Sequence, residues 1–380
     1  MVVTSAHRTR ADLCPGVLRP FPAEDGAIIR LRLPGGELPI PLLTELLQIA
    51  MSGAGFVQVT SRGNLQIRGL SDPLPDHVVE AVDATGLVPS PSHERVRNIL
   101  ASPLSGLWPS NSPDGPIARA DIRPIVAEFD DLLRAEPALA QLPGRFLVVI
   151  DDGRGDMLGE PFDVAYRALG PDRGEVRLAS GRGFAVPAAG AAAALIEVAK
   201  AFQAVRTDLA PAPWHIRELD ADLPGLPLTE RIPVPAGPRV RPGALGPHAI
   251  AGLPLARITH GNLATLAWIT DRVILTGWRS IVVPDAADHL DDLAEAGFAT
   301  TPESGWAQVS ACTGAPGCGR ATVSTEGAAR DLVTAIDAGR LRLTEPVHLV
   351  ACERHCGVSG NQRHIVLTDD SPDALAALLP

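Results

Sequence analysis

The sequence predicts an α+β fold of two pseudo-repeated halves, each a small strand–helix–strand–strand–helix unit followed by a larger α/β unit. Three observations predict it. The small pattern occurs twice, a second pair of segments matches in the same order, and a Pro-rich stretch joins the halves.

Taken in order, residues 27–33 (AIIRLRL) alternate and predict a strand, and residues 41–51 (PLLTELLQIAM) carry helical apolar spacing. Residues 56–60 and 64–68 predict two strands around a tight Ser61-Arg62-Gly63 connection, and residues 74–84 predict a helix. The same succession recurs: a helix over 263–269, strands over 272–276 and 280–283 around Gly277-Trp278-Arg279, and a helix over 286–296. Laid over one another, FVQVTSRGNLQIRGL (56–70) and RVILTGWRSIVVPDA (272–286) place Thr60 on Thr276, with an arginine in each turn displaced by one position. This is a ferredoxin-like α/β pattern.

The second pair is RNILASPLSG (97–106) against SACTGAPGCG (310–319), and LPGRFLVVIDD (142–152) against EPVHLVACERH (345–355). Proline sets its register, Pro103 on Pro316 and Pro143 on Pro346. The expected organisation is a first ferredoxin-like half-domain over 22–80, a first α/β domain over 85–220 and a Pro-rich linker over 221–247. A second ferredoxin-like half-domain over 248–298 and a cysteine-bearing domain over 300–380 follow.

The 380 residues are 46% hydrophobic and 20% charged, a globular balance with core enough for two or three domains. Net charge −11 argues against nucleic-acid or membrane-surface binding. Lys200 is the only lysine, so the positive charge is arginine, which grips carboxylates with two prongs. No apolar run reaches about 18 residues, so no membrane span is expected. Residues 1–15 carry Arg8 and Arg10 without an apolar core and do not read as a signal peptide. A cytoplasmic location is expected, where disulfides are rare.

Cys14 stands alone, but the other four cysteines pair up. Five residues separate Cys312 from Cys318, and three separate Cys352 from Cys356. A structural zinc site usually shows tighter knuckles, which the first gap fits poorly. Four thiolates suit a [4Fe–4S] cluster, and the Gly and Pro of ACTGAPGCGRA allow a loop to wrap it. Gly153, Gly155 and Gly159 follow an apolar strand but lack dinucleotide-loop spacing, and the Arg154-Gly155-Asp156 tripeptide is a chance match.

This cysteine pattern resembles the sulfite and nitrite reductases, over about residues 27–368, and implies a sulfite-reductase-like fold. In that family the last cysteine, here Cys356, bridges the cluster to a siroheme iron. The family motif T-x-R-x-x-x-Q is similar to Thr60, Arg62 and Gln66, with Asn64 between, and a later Arg-Asn resembles Arg97-Asn98. Together with Arg145 and Arg279 these residues are expected to hold a polycarboxylate tetrapyrrole.

The departures matter. The family's Lys-x-Lys is replaced by Arg145 and Leu147, Pro-Asn-Gly between the last cysteines by Glu353-Arg354-His355, and a later arginine by Val358. The small-anion site is expected to be lost and the macrocycle site kept. Within the superfamily, LPGRFLVVIDDGRGDM (142–157) resembles the precorrin-3B synthase branch. That resemblance implies precorrin-3A as substrate, O2-dependent hydroxylation at C20 with γ-lactone formation, and a [4Fe–4S] cluster on Cys312, Cys318, Cys352 and Cys356. It also implies a non-haem iron, to which sequence spacing assigns no ligands; His355 and His364 read as hydrogen-bonding or surface residues. Arg145, Asp151 and Asp156 are the expected catalytic residues, with Asp152 in the same loop; the readings open for the three aspartates are orienting a substrate pyrrole N–H, ligating iron, or a polar turn before a helix start. NADH is the branch's nominal reductant; no nicotinamide site is legible, so a separate electron donor or reductase is expected. The alternative is a siroheme-dependent sulfite or nitrite reductase.

Overall fold

The structure is a computed structural model that describes residues 12–107, 120–230, 236–358 and 362–368. Arg8 and Arg10, and residues 369–380 of the expected cysteine-bearing domain, lie outside the described residues. The chain divides into two compact units. One contains Arg32–Gly36 and Val88–Arg239, and the other contains Val17–Leu31, Glu37–Leu87 and the chain from Val240.

The second unit holds both ferredoxin-like sheets. The first runs, edge to edge, Phe21–Ala23, Gly26–Leu31, Leu65–Leu70, Phe56–Val59, Arg257–Thr259. The other runs Gly243–Leu245, His248–Gly252, Ser280–Val283, Arg272–Leu275, Glu37–Pro39. Each sheet thus ends on a strand taken from the other repeat: Arg257–Thr259 pairs with Phe56–Val59, and Glu37–Pro39 pairs with Arg272–Leu275. Each donated strand leads straight into a helix, Ile40–Ala50 or His260–Ile269. In Ile40–Ala50, Ile40, Leu43, Leu46 and Leu47 are buried, the stripe that helical spacing predicts.

The repeated turn is the same structure twice. The Thr60 N–H bonds to Asn64 O at 2.8 Å and the Thr276 N–H to Ser280 O at 3.0 Å. Each threonine hydroxyl accepts from the N–H two residues on, Arg62 at 3.3 Å and Trp278 at 3.1 Å. The superposition puts Gly63 on Arg279, and both are left-handed, with φ 63 and φ 58. Glycine adopts that conformation freely; for arginine it costs about 1 kcal/mol, so something must hold Arg279 there. The helix expected over 286–296 is a single 3-10 turn, Ala287–His289, followed by the α-helix Leu290–Glu295. Only Leu293 of that helix is buried, while Asp291 and Asp292 favour a helix start there.

The second unit also carries a parallel sheet, Val309–Ala311, Val347–Val350, Arg363–Val366, with the helix Thr325–Asp337 between its first two strands. The first unit repeats this layout. Ile99–Ala101, Val148–Asp151 and Val164–Ala168 are parallel neighbours, with the helix Arg123–Ala135 between the first two. Arg173–Leu178, Arg182–Pro187 and Thr229–Glu230 extend this sheet antiparallel. Phe129, Phe146, Tyr166, Leu195 and Phe202 are wholly buried in its core.

The strand registers correct the proline-based one. Ile99 opposes Val148 as Val309 opposes Val347, and Val148 opposes Val164 as Val347 opposes Arg363. Ser102 donates its N–H to Ile150 O (3.1 Å) as Cys312 donates to Leu349 O (2.8 Å). Ser102 is therefore the counterpart of Cys312. The loop after the first strand and the loop before the second differ in length between the two units, which alignment on prolines conceals.

Residues 221–247 are no bare linker. Leu223 is buried, Thr229–Glu230 joins the first unit's sheet, Gly237 donates to Gly155 O at 2.7 Å, and Gly243–Leu245 is a strand of the second unit. The apolar stretch Ala188–Thr207 is long and apolar enough to cross a membrane. It buries Leu195, Val198, Ala199 and Phe202 in the first unit's core.

Candidate functional site

The thiols sit where the parallel strands of the second unit end. Cys312 directly follows Val309–Ala311, and Cys352 and Cys356 follow Val347–Val350. The C-terminal edge of parallel strands is the usual place for a ligand. Cys356 is partly open, yet enough protein surrounds it that desolvation pushes its thiol up. Arg354 pulls it down, while Cys312, Cys352 and Cys318 each push it up further. Cys312, Cys352 and Cys318 therefore lie within electrostatic reach of Cys356, and four thiols are the donor set that an iron–sulfur cluster needs.

Each cysteine loop is braced by one arginine. Arg68, from the strand Leu65–Leu70 and almost fully buried, forks onto both oxygens of Asp25 (2.6 and 2.9 Å). It also donates to Thr313 Oγ1 and, at 2.9 Å, to Gly317 O, both inside the Cys312–Cys318 loop. The Thr325 hydroxyl donates to Cys312 O at 2.7 Å. Arg279 donates to Gly357 O, beside Cys356, and reaches Ser310 Oγ and Gln362 Oε1 at 3.4 Å. These bonds account for its left-handed backbone.

Between them lies His348, with no exposed surface, on the strand Val347–Val350. Its Nε2 lies 2.9 Å from Cys356 O and its Nδ1 2.8 Å from Ser310 Oγ. A carbonyl can only accept, so Nε2 bears the proton and Nδ1 accepts from Ser310. Burial, with Arg279 adding to it, pushes the imidazole down to about 3, so it stays neutral. His355 and His364 pack ring on ring, with centroids 4.3 Å apart.

In the first unit an acid set occupies the corresponding edge. Asp151, Asp152 and Asp156 are buried at 0%, 0% and 3% exposure, and one oxygen from each lies within 4.8 Å of the others. Asp151 is turned on its own loop, accepting from the N–H groups of Gly153 (2.8 Å), Gly155 (2.9 Å) and Met157 (3.1 Å). Asp152 pairs with the buried Arg154, and burial still raises its carboxyl to about 6. Burial, then the charges of Asp151 and Asp152, raise Asp156 to about 8. Ser102 donates to Asp156 Oδ1 at 2.7 Å, whereas Oδ2 is buried with no hydrogen-bond partner among the described residues.

Of the residues expected to hold a tetrapyrrole, two are internal ties instead. Arg97 grips Asp130 with two prongs (2.7 and 2.9 Å), both buried, and Asn98 donates to Arg95 O, Gly144 O and Phe146 O. Arg279 is engaged with the last cysteine loop, as above. Thr60 and Asn64 build their turn, and Gln66 accepts from Arg30 (2.9 Å) while donating to Gln58 (3.3 Å). Arg145 stacks on Trp214, its guanidinium carbon 5.0 Å from the ring centroid. Thr60, Arg62, Asn64, Gln66, Arg279 and the four cysteines lie in the second unit; Arg97, Asn98, Arg145 and the aspartates lie in the first.

Arg68, Ser102 and the role of His348 were not legible as site features beforehand. A histidine inside a wholly buried strand, VHLV, is a usable signal for His348. Ser102 carries none without the strand register.

The nitrite/sulfite reductase ferredoxin-like half-domain model matches residues 21–83. A precorrin-3B synthase from Sinorhizobium is 28% identical, over 91% of this chain and 78% of that protein. The chain is similar to a precorrin-3B synthase and to ferredoxin–nitrite reductases along most of its length. A chloroplastic ferredoxin–nitrite reductase from Zea mays is 25% identical, over 87% of this chain and 67% of its own. The Mycobacterium tuberculosis NirA protein superimposes with TM-score 0.67 at 20% identity, covering 87% of this chain and 69% of that one. The fold of that protein is thus shared over most of this chain.

Proposed function

We propose that the chain works as a precorrin-3B synthase, acting on the polycarboxylate tetrapyrrole precorrin-3A in cobalamin biosynthesis. One oxygen atom of O2 enters the ring at C20 as a hydroxyl and the other leaves as water, with two electrons from a donor; the ring-A acetate closes a γ-lactone. The observation that carries this reading is likeness along most of the chain to the Sinorhizobium enzyme; Cys312, Cys318 and Cys352 within electrostatic reach of Cys356 support it. Cys312, Cys318, Cys352 and Cys356 hold a [4Fe–4S] cluster in this proposal; such a cluster supplies one-electron transfer.

The chain's own residues do the rest. Arg68 and Arg279 fix the cysteine loops, and His348 orients the carbonyl of Cys356. Arg62 and Arg145 are the proposed partners for substrate carboxylates, since Arg97 is engaged with Asp130. A cytoplasmic reductase is the proposed electron source.

The test is anaerobic purification, then addition of precorrin-3A, O2 and a reductant with product mass followed. A gain of one oxygen atom supports the reading. Unchanged tetrapyrrole, with nitrite or sulfite consumed and strong siroheme bands in the visible spectrum, overturns it in favour of the reductase reading. Oxidation of NADH by the lone chain would remove the need for a separate reductase.

A further inference from the structure

We infer that Asp151, Asp152 and Asp156 form a second metal site, built for one hard divalent cation. Three features of the first unit carry this, and none involves the tetrapyrrole or the cysteines.

The first is spacing and burial. Three buried carboxyl groups approach one another to within 4.8 Å, an arrangement whose mutual repulsion either a proton on Asp156 or a cation among them relieves. The second is an orphan acceptor. Asp156 is nine-tenths buried and more, its Oδ1 is satisfied by Ser102, and its Oδ2 has no partner among the described residues. A buried carboxylate oxygen left unpaired costs about 1–3 kcal/mol or more, and a cation removes that cost. The third is charge. Among the described residues Arg154 is the cation paired into the set, through Asp152; Asp156 holds a proton in the ion-free chain, and an ion that displaces it meets two negative charges. A divalent ion balances them.

The fold supports the placement. By strand register Ser102 stands where Cys312 stands in the other βαβ layout, so the acid set lies at the edge that bears the thiols there. The donors differ in kind. Carboxylate oxygens with a neighbouring hydroxyl suit Mg²⁺, Mn²⁺, Ca²⁺ or Fe²⁺, not the soft ions that thiolates select. Asp151 contributes mainly by organising the loop, because its oxygens already accept three N–H bonds. Asp152 and Asp156 are the principal ligands.

The experiment is a titration of the purified full chain with Mn²⁺, reading the free-ion EPR signal and bound manganese by elemental analysis. One ion per chain is expected. Asp156→Asn should weaken binding at least tenfold while leaving the visible absorption unchanged. Cys312→Ser should bind Mn²⁺ as the wild type does, which separates this site from the thiols. Wild-type protein that binds no manganese, or an Asp156→Asn variant that binds it as tightly, overturns the proposal. If Asp156→Asn does not accumulate as folded protein, the wild-type and Cys312→Ser titrations still decide it.

Discussion

Two parallel-strand edges of this chain have the same backbone and opposite chemistry. In the second unit the residues that follow the strands are Cys312 and then Cys352 and Cys356; in the first they are Ser102 and then Asp152 and Asp156. Matching backbone bonds, Cys312 to Leu349 and Ser102 to Ile150, hold both edges. The soft edge is braced from outside by Arg68 and Arg279. The acid edge is braced from within, by Asp151 accepting its own loop's N–H groups. Strand ends fix where a ligand can sit, and the few side chains after them fix which ligand it is.

The comparison breaks first at the thiols. Cys356→Ser is expected to abolish the visible absorption and most of the bound iron while leaving the acid edge intact. Absorption spectra and iron analysis check this, and a variant that keeps full iron would end the four-thiol assignment. Next comes the buried pair in the acid-edge unit. Arg97→Ala leaves Asp130 with only its weaker partner Arg134 and should cost about 3 kcal/mol, read as a lowered urea midpoint. If stability were unchanged and tetrapyrrole affinity fell instead, Arg97 would be a ligand-binding residue after all.

His348→Leu should cost about 1–3 kcal/mol, because it removes the ring donor to the Cys356 carbonyl and the short bond from the Ser310 hydroxyl. Thermal unfolding checks the cost, and a shifted reduction potential of the bound iron would sharpen the positioning role. The last effect is pH-linked. Asp156 titrates about 8 in the folded chain against 3.8 ordinarily, so between those values the folded state keeps a proton that the unfolded state has lost. That stabilisation is complete below the ordinary value and is lost as pH rises through the folded one. In chelator, stability should therefore decline from weakly acidic to weakly alkaline pH, and Asp156→Asn should flatten the decline. Added Mn²⁺ should flatten it as well.

Much of this was legible in the sequence. Period-two and period-three-to-four apolar patterns place the strands around Arg62 and Arg279 and the helix Ile40–Ala50, because each buries one face. The cysteines were legible because thiols are rare in this chain and their spacing is specific. The arginines were not separable by type. Arg62, Arg97 and Arg279 look alike as letters, but only the fold shows that Arg97 meets Asp130 and that Arg279 meets Gly357. The acid set reads in the sequence as catalytic candidates in one loop; its burial, and the serine that completes it, depend on a strand pairing between residues about fifty positions apart.

The exchange of Glu37–Pro39 for Arg257–Thr259 means that neither ferredoxin-like half is a whole object. Cut the gene between them and each fragment loses an edge strand and shows bare backbone, inviting self-association. The lender sits more than two hundred residues from the borrower, so neither sheet closes until the late repeat exists. Such an arrangement is what fusion of a swapped dimer would leave behind: two once-identical subunits, still clasping each other's edges, free to let one copy specialise.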